Sequence, residues 1–98
     1  MLKRKGFGIL RGGIVNSKNM FHVYAIKSIA RNYMYVGMTD NLTRRFKEHN
    51  DKKESTTRTY APFKVIFTEE VSSRGEARKR EKYFKSGVGR EYLKSLVR

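Results

Sequence analysis

Cysteine and tryptophan are absent, and Pro62 is the one proline in 98 residues. Without thiols there can be neither a disulfide framework nor a thiolate-bound zinc site, which excludes a stapled secreted scaffold. A reducing compartment is therefore allowed, and the cytoplasm is the expected location. No apolar run approaches the roughly 18 residues that would span a bilayer, and the N-terminal stretch lacks the continuous apolar segment of a secretory signal. Acidic residues are scarce as well: 9 Asp and Glu stand against 23 Lys and Arg, a formal charge of +14. Such a field gathers phosphate-bearing ligands and releases their condensed counterions on binding. A membrane surface would ask in addition for a basic amphipathic helix or a lipid signal, so the charge favours nucleic acid and no membrane.

The length suits one small domain, with a monomer as the expected state. Residues 1–20 hold five basic residues, no acidic one and four of the eight glycines. That composition opposes both helix and packed strand, and suggests a flexible basic arm. Met20 immediately precedes the first clean strand pattern, so translation starting there is a second expectation. The segment "FHVYAIKS", a turn in "SIARN" and a resumed extended pattern in "YMYVGM" predict a β-hairpin. Pairing Ser28 with Tyr33 sets Ile26 opposite Tyr35 and Tyr24 opposite Gly37.

Thr39 and Asp40 are the expected N-cap residues of a helix from about Asn41 to Asn50. At about 100° per residue, His49 falls in the apolar stripe of Leu42 and Phe46, with Arg45 on its edge, while Arg44, Lys47 and Glu48 point away. A polar loop follows to Tyr60, then the strand "FKVIFTEEV", in which Phe63, Val65 and Phe67 are expected to share a face. Ser73 and Glu76 have the spacing of a capping box for a helix to about Ser86, and Gly87 and Gly89 are expected to break it before a short terminal helix. The fold expected is α+β (mixed α/β): a small three-stranded antiparallel sheet flanked by helices, in the order β-β-α-β-α-α over residues 21–98.

Several residues sit oddly for a purely structural role. Glu81 joins the face of the second helix that packs on the sheet, beside Ala77 and Phe84, whereas Arg78, Lys79 and Lys82 largely spread outward. A carboxylate there either holds a divalent cation against a phosphate oxygen or pairs with Arg45 or another base. Arg45 suits the stabilisation of a pentavalent phosphate, and equally a surface ion pair. His49 suits proton transfer or phosphate binding, and equally a hydrogen-bonded place in the core. Tyr24 and Tyr35 suit half-buried strands for packing reasons alone.

Taken jointly, "HVYAIKS", then "YVG", then Arg45, His49 and the glutamate of "EARKREKYFKSG" resemble the GIY-YIG nuclease superfamily, from about Phe21 to Leu96. The resemblance is strongest to short free-standing members and to the amino-terminal nuclease module of the excinuclease of nucleotide-excision DNA repair. It implies a metal-dependent endonuclease acting on DNA ahead of RNA, with structural rather than sequence preference. Tyr24 and Tyr35 match the two motif tyrosines, with Tyr24 as general base on the attacking water. Gly37 is the motif glycine, leaving room for substrate backbone. Arg45 and His49 match the catalytic helix positions, and Glu81 the single ligand of Mg²⁺ or Mn²⁺. Arg44, Lys47, Lys52, Lys53 and Arg58 are the expected nucleic-acid contacts beside Gly37. Two departures bear on activity: His22 stands at the first motif glycine, and Met38 where excinuclease modules carry a lysine. The rival expectation is a nucleic-acid-binding module of the same fold without useful turnover.

Overall fold

The computed structural model describes residues 20–97. The arm expected over residues 1–20 lies, Met20 apart, outside the described residues. Strands β1 (Phe21–Ser28) and β2 (Met34–Thr39) are followed by helix α1 (Leu42–Asn50), a single 3-10 turn at Arg58–Tyr60, strand β3 (Phe63–Val71), and helices α2 (Arg74–Lys85) and α3 (Gly87–Ser95). The sheet order is β2-β1-β3 with both pairings antiparallel. This is the expected α+β architecture in the expected order. The hairpin register is also as read: Tyr24 opposes Gly37 and Ile26 opposes Tyr35.

As the central strand, β1 is covered on both sides, which is why Val23, Tyr24, Ala25 and Ile26 are all buried in an unbroken apolar run. The pleat sends them alternately to two cores. Val23 and Ala25 pack with Val36, Ala77, Phe84 and Leu93 beneath α2 and α3. Tyr24 and Ile26 pack with Phe63 on the other face, where Leu42 and Phe46 of α1 cover them.

β3 departs from the expected single face. Ala25 pairs with Phe67 but Ile26 with Val65, so Ile66 is an extra residue in a bulge. Every side chain beyond it is turned over. Phe63 therefore joins the Tyr24 core and Phe67 the Val23 core, while Val65 stays partly exposed.

The first helix starts one residue later than expected. Asn41 is the N-cap, its side-chain oxygen accepting from the Arg44 amide at 3.0 Å, and Thr39 supports it by accepting from the Asn41 amide at 3.0 Å. At the other end the Phe63 amide donates to the Asn50 side chain at 2.6 Å, fastening α1 to β3. Ser73 caps α2 as read, accepting from the Glu76 amide at 3.1 Å.

The second helix ends at Lys85, close to the expected Ser86, but the break falls at Ser86, and Gly87 and Gly89 belong to the first turn of α3. A Cβ on Gly89 would run into the Tyr83 carbonyl and lie 2.6 Å from the Phe84 Cα, whereas one on Gly87 would meet nothing within 4 Å. Gly89 thus lets α3 lie directly on the end of α2, and Gly87 contributes only backbone freedom. Gly89→Ala is expected to cost about 1–3 kcal/mol by overpacking, and Gly87→Ala to be neutral or to stabilise by about 0.5–1 kcal/mol. Urea denaturation midpoints of the two variants check this.

Candidate active site

Tyr24 is 1% exposed, pinned between β2 and α1. Its ring occupies the space over Gly37, where a Cβ would lie 2.6 Å from the Tyr24 hydroxyl and 2.9 Å from a ring carbon of Tyr35. The missing side chain at Gly37 therefore makes room for the two tyrosines, and the expectation that it leaves space for substrate backbone is corrected. The Tyr24 hydroxyl lies 2.9 Å from His49 Nε2, and His49 Nδ1 lies 2.8 Å from the Thr57 hydroxyl. The His49 ring is also 5.1 Å from that of Tyr35 and 6.0 Å from that of Phe63, centre to centre. His49 and Thr57 are both 0% exposed.

The electrostatics of this group follow from burial. Desolvation first, and Arg45 second, push the His49 pKa below its ordinary value, so the ring is neutral at pH 7. A neutral imidazole carries one donor and one acceptor. Arg45 can only donate, so its hydrogen bond falls on the Tyr24 oxygen and the Tyr24 O–H is assigned to Nε2, which leaves Nδ1–H to donate to Thr57. Tyr24 itself is pushed up to about 12, by burial and then by Tyr35, against the opposing pull of Arg45. A general base at Tyr24 would need its pKa lowered by nearby positive charge; in the folded chain desolvation outweighs the pull of Arg45.

Arg45 reaches from the same helix and is held by two carboxylates, Glu48 at 3.0 Å and Glu54 at 2.8 Å. Desolvation would weaken its charge, but the hydrogen bonds to Glu54 and Glu48 outweigh burial and raise its pKa above the ordinary value. Arg45 in turn draws the Glu54 pKa down.

Beyond the β2 edge a cleft of about 430 Å³ opens between α1 and α2. Arg45 and Glu48 line one wall and Glu81 the other, with Met38 and Thr39 of β2 between them. Glu81 belongs to the helix on the opposite face of the sheet from Tyr24, yet it faces the same opening as Arg45. Its ion pair is with Lys85 at 3.2 Å and its side chain is 19% exposed. The structure thus brings Tyr24, Tyr35, His49 and Arg45 into one group and Arg45 and Glu81 into one cleft, but neither tyrosine forms part of the cleft wall. Arg44 also lines the cleft, paired with Asp40 and Glu48 at 3.6 Å each. Lys47 is bonded to Asp51 at 2.6 Å outside it, and Lys52, Lys53 and Arg58 are exposed on the segment after α1, likewise outside it.

No cluster of three or more potential metal ligands exists among the described residues. Glu81 is a single carboxylate in a polar, open cleft, and that donor set fits a hydrated Mg²⁺ shared with a substrate phosphate, which needs only one or two protein carboxylates.

Sequence reasoning missed Thr57 and Glu54. Both lie in the loop after α1, where no periodicity ties a residue to a site; Glu54's only signal was its sign within "DKKES".

The strand and helix order, with a tyrosine, histidine and arginine group at one sheet edge, defines a class of small α+β domains built around a polar cleft. The model of the GIY-YIG catalytic domain matches residues 20–93, and the chain belongs to the GIY-YIG family, a family of nucleases. The chain is 37% identical over 65 residues to the UPF0213 protein YazA of Bacillus subtilis, covering 65% of this chain and 66% of that one. Over 80 residues it is 32% identical to a UPF0213 protein of Limosilactobacillus reuteri, covering 79% and 82%. The solution NMR structure of a UPF0213 protein from Bacillus halodurans is 31% identical, covers 79% of this chain and 84% of that one, and superposes with a TM-score of 0.48.

Thr57→Val removes the hydroxyl at nearly constant shape and leaves His49 Nδ1 buried without a partner. The expected loss is about 1–3 kcal/mol of stability, measured by chemical denaturation, with the fold retained by circular dichroism.

Proposed function

We propose that this chain is a metal-dependent endonuclease that hydrolyses phosphodiester bonds in DNA, with structural rather than sequence preference, of the kind that repair or recombination uses. One observation carries the reading: Arg45 and Glu81 face each other across a single cleft, although they come from helices on opposite sides of the sheet. That cleft adjoins the hydrogen-bonded Tyr24–His49 pair through Arg45.

Hydrolysis needs an activated water, a neutralised phosphorane and a stabilised leaving oxygen. With its pKa pushed up to about 12, Tyr24 is not a phenolate at neutral pH. On this reading DNA binding first opens the buried Tyr24 hydroxyl to the cleft, and Tyr24 then serves as a relay: water gives a proton to the Tyr24 oxygen as the Tyr24 proton passes to His49 Nε2. The water oxygen bonds to phosphorus, and the bond to the leaving oxygen breaks as that oxygen takes a proton from solvent in the open cleft. His49 ends as an imidazolium supported by Thr57 and returns its proton to solvent after product leaves. Two of the Arg45 N–H groups are taken by Glu48 and Glu54 and another is drawn to the Tyr24 oxygen; what is left of its five is available to the phosphorane oxygens. A cation at Glu81 would supply electrostatic stabilisation of the leaving oxygen.

The assay is incubation of nicked, branched and duplex DNA with the protein in Mg²⁺ or Mn²⁺, beside a Glu81→Ala variant and an EDTA control. Cleavage by the parent chain alone is the expected result. Cleavage that persists in Glu81→Ala would remove this residue from the mechanism. The second reading, a binding module without turnover, is favoured by the deep burial of Tyr24, and it is the outcome if every substrate is bound and none is cut.

The relay also sets a pH dependence. His49 accepts a proton only when neutral, and its folded pKa lies below the ordinary value of about 6.5. Activity is expected to persist through pH 6.5 and to fall only at lower pH, as His49 becomes protonated. A rate profile already half lost at pH 7 would contradict the relay. The same shift acts on stability. The unfolded chain takes up the His49 proton first, so this contribution is full above about pH 6.5 and is lost as pH falls through the folded pKa.

A further inference from the structure

Charge around the cleft is unevenly answered. On the α1 wall both arginines have carboxylate partners: Arg44 with Asp40 and Glu48, Arg45 with Glu48 and Glu54. On the α2 wall Glu81 is paired with Lys85. Arg74 and Arg78 line that same wall, and neither has a carboxylate within 4.0 Å among the described residues. Arg78 was expected to spread outward with Lys79 and Lys82; the structure turns it to the cleft instead.

Their spacing is regular. Arg74, Arg78 and Glu81 are four and then three residues apart, so they form one row along α2, with a rise of about 6 Å between the two arginines. Arg74 is also held in place, its guanidinium carbon 5.1 Å from the centre of the Phe21 ring, which lines the cleft too. Stacking on an aromatic face restricts a long side chain before any ligand arrives, while its N–H fork stays available for a phosphate.

We propose that Arg74 and Arg78 form a phosphate-binding track that grips the DNA backbone on one side of the position held by Glu81, leading the strand along α2 toward its N-terminus. The track rests on the reading of the cleft as a DNA site. Unpaired cations are free to release counterions on binding without first giving up a protein partner, so these two arginines contribute to affinity, while Arg45 is reserved for the reacting phosphate. Phosphate contacts of this kind fix register on the duplex and carry no base sequence.

The test is fluorescence anisotropy of a labelled DNA duplex bound by the full chain in EDTA over a series of salt concentrations. The Arg74→Ala/Arg78→Ala pair is expected to weaken binding and to lower the slope of log affinity against log salt by about 0.9 for each lost phosphate contact. Lys79→Ala/Lys82→Ala removes the same formal charge from α2 outside the cleft and is expected to keep a slope closer to the parent. Arg74→Lys/Arg78→Lys keeps the charge, and is expected to keep the slope while losing affinity through the fork. Equal slopes for the parent and the Arg74→Ala/Arg78→Ala pair would overturn the track, as would equal losses in the two alanine pairs. Because EDTA removes turnover from the measurement, the two ideas fail separately. A changed slope with no cleavage in Mg²⁺ retains the track without the nuclease, and cleavage with an unchanged slope retains the nuclease without the track.

Discussion

The Tyr24–His49 hydrogen bond, 2.9 Å long and shut away from water, is the constraint around which this small domain is arranged. It joins the central strand to the first helix through side chains, where most of the surrounding contacts are apolar and non-directional. A buried hydroxyl facing a buried imidazole is favourable only if both ends of the ring are satisfied. That requirement recruits Thr57 from the loop, and with it the course of the chain between α1 and β3. Gly37 belongs to the same requirement, since any side chain there would displace the Tyr24 ring.

Around this neutral centre the charges are graded. Arg45 sits beside it, held at short range by Glu48 and Glu54, so a full cation is kept next to a buried phenol without a net charge of its own cluster growing large. Farther out, Glu81 is shared with Lys85. The result is a polar opening whose inner wall is neutralised by its own acids. Few acidic residues exist in this chain, and Glu48, Glu54 and Glu81 all stand at or beside this opening, where they lower the local positive potential.

Much of the plan was legible because it rests on periodicity. Alternation in "FHVYAIKS" and "YMYVGM" set the hairpin and its register, and the helical stripe placed His49 against the core. What was not legible depended on closure in three dimensions. The bulge at Ile66 leaves no mark in a run of β-branched and aromatic residues, so simple alternation puts Phe67 on the wrong face. Gly89 looks like a helix breaker in a linear reading, and only the approach of the Tyr83 carbonyl reveals it as a contact point. Glu54 and Thr57 are ordinary loop residues until the chain folds back over α1. The candidate site was therefore readable in its residue types on regular elements, and unreadable in the partners that loops bring to them.

The turnover of β3 at Ile66 has a mechanical consequence. Phe63 is sewn into one apolar layer and Phe67 into the other, within a single strand only nine residues long. No seam is left along which the α1 layer could peel from the layer under α2 and α3 without tearing the ladder they share. The two layers that frame the cleft are therefore tied through one strand, an arrangement that favours their unfolding as one cooperative unit.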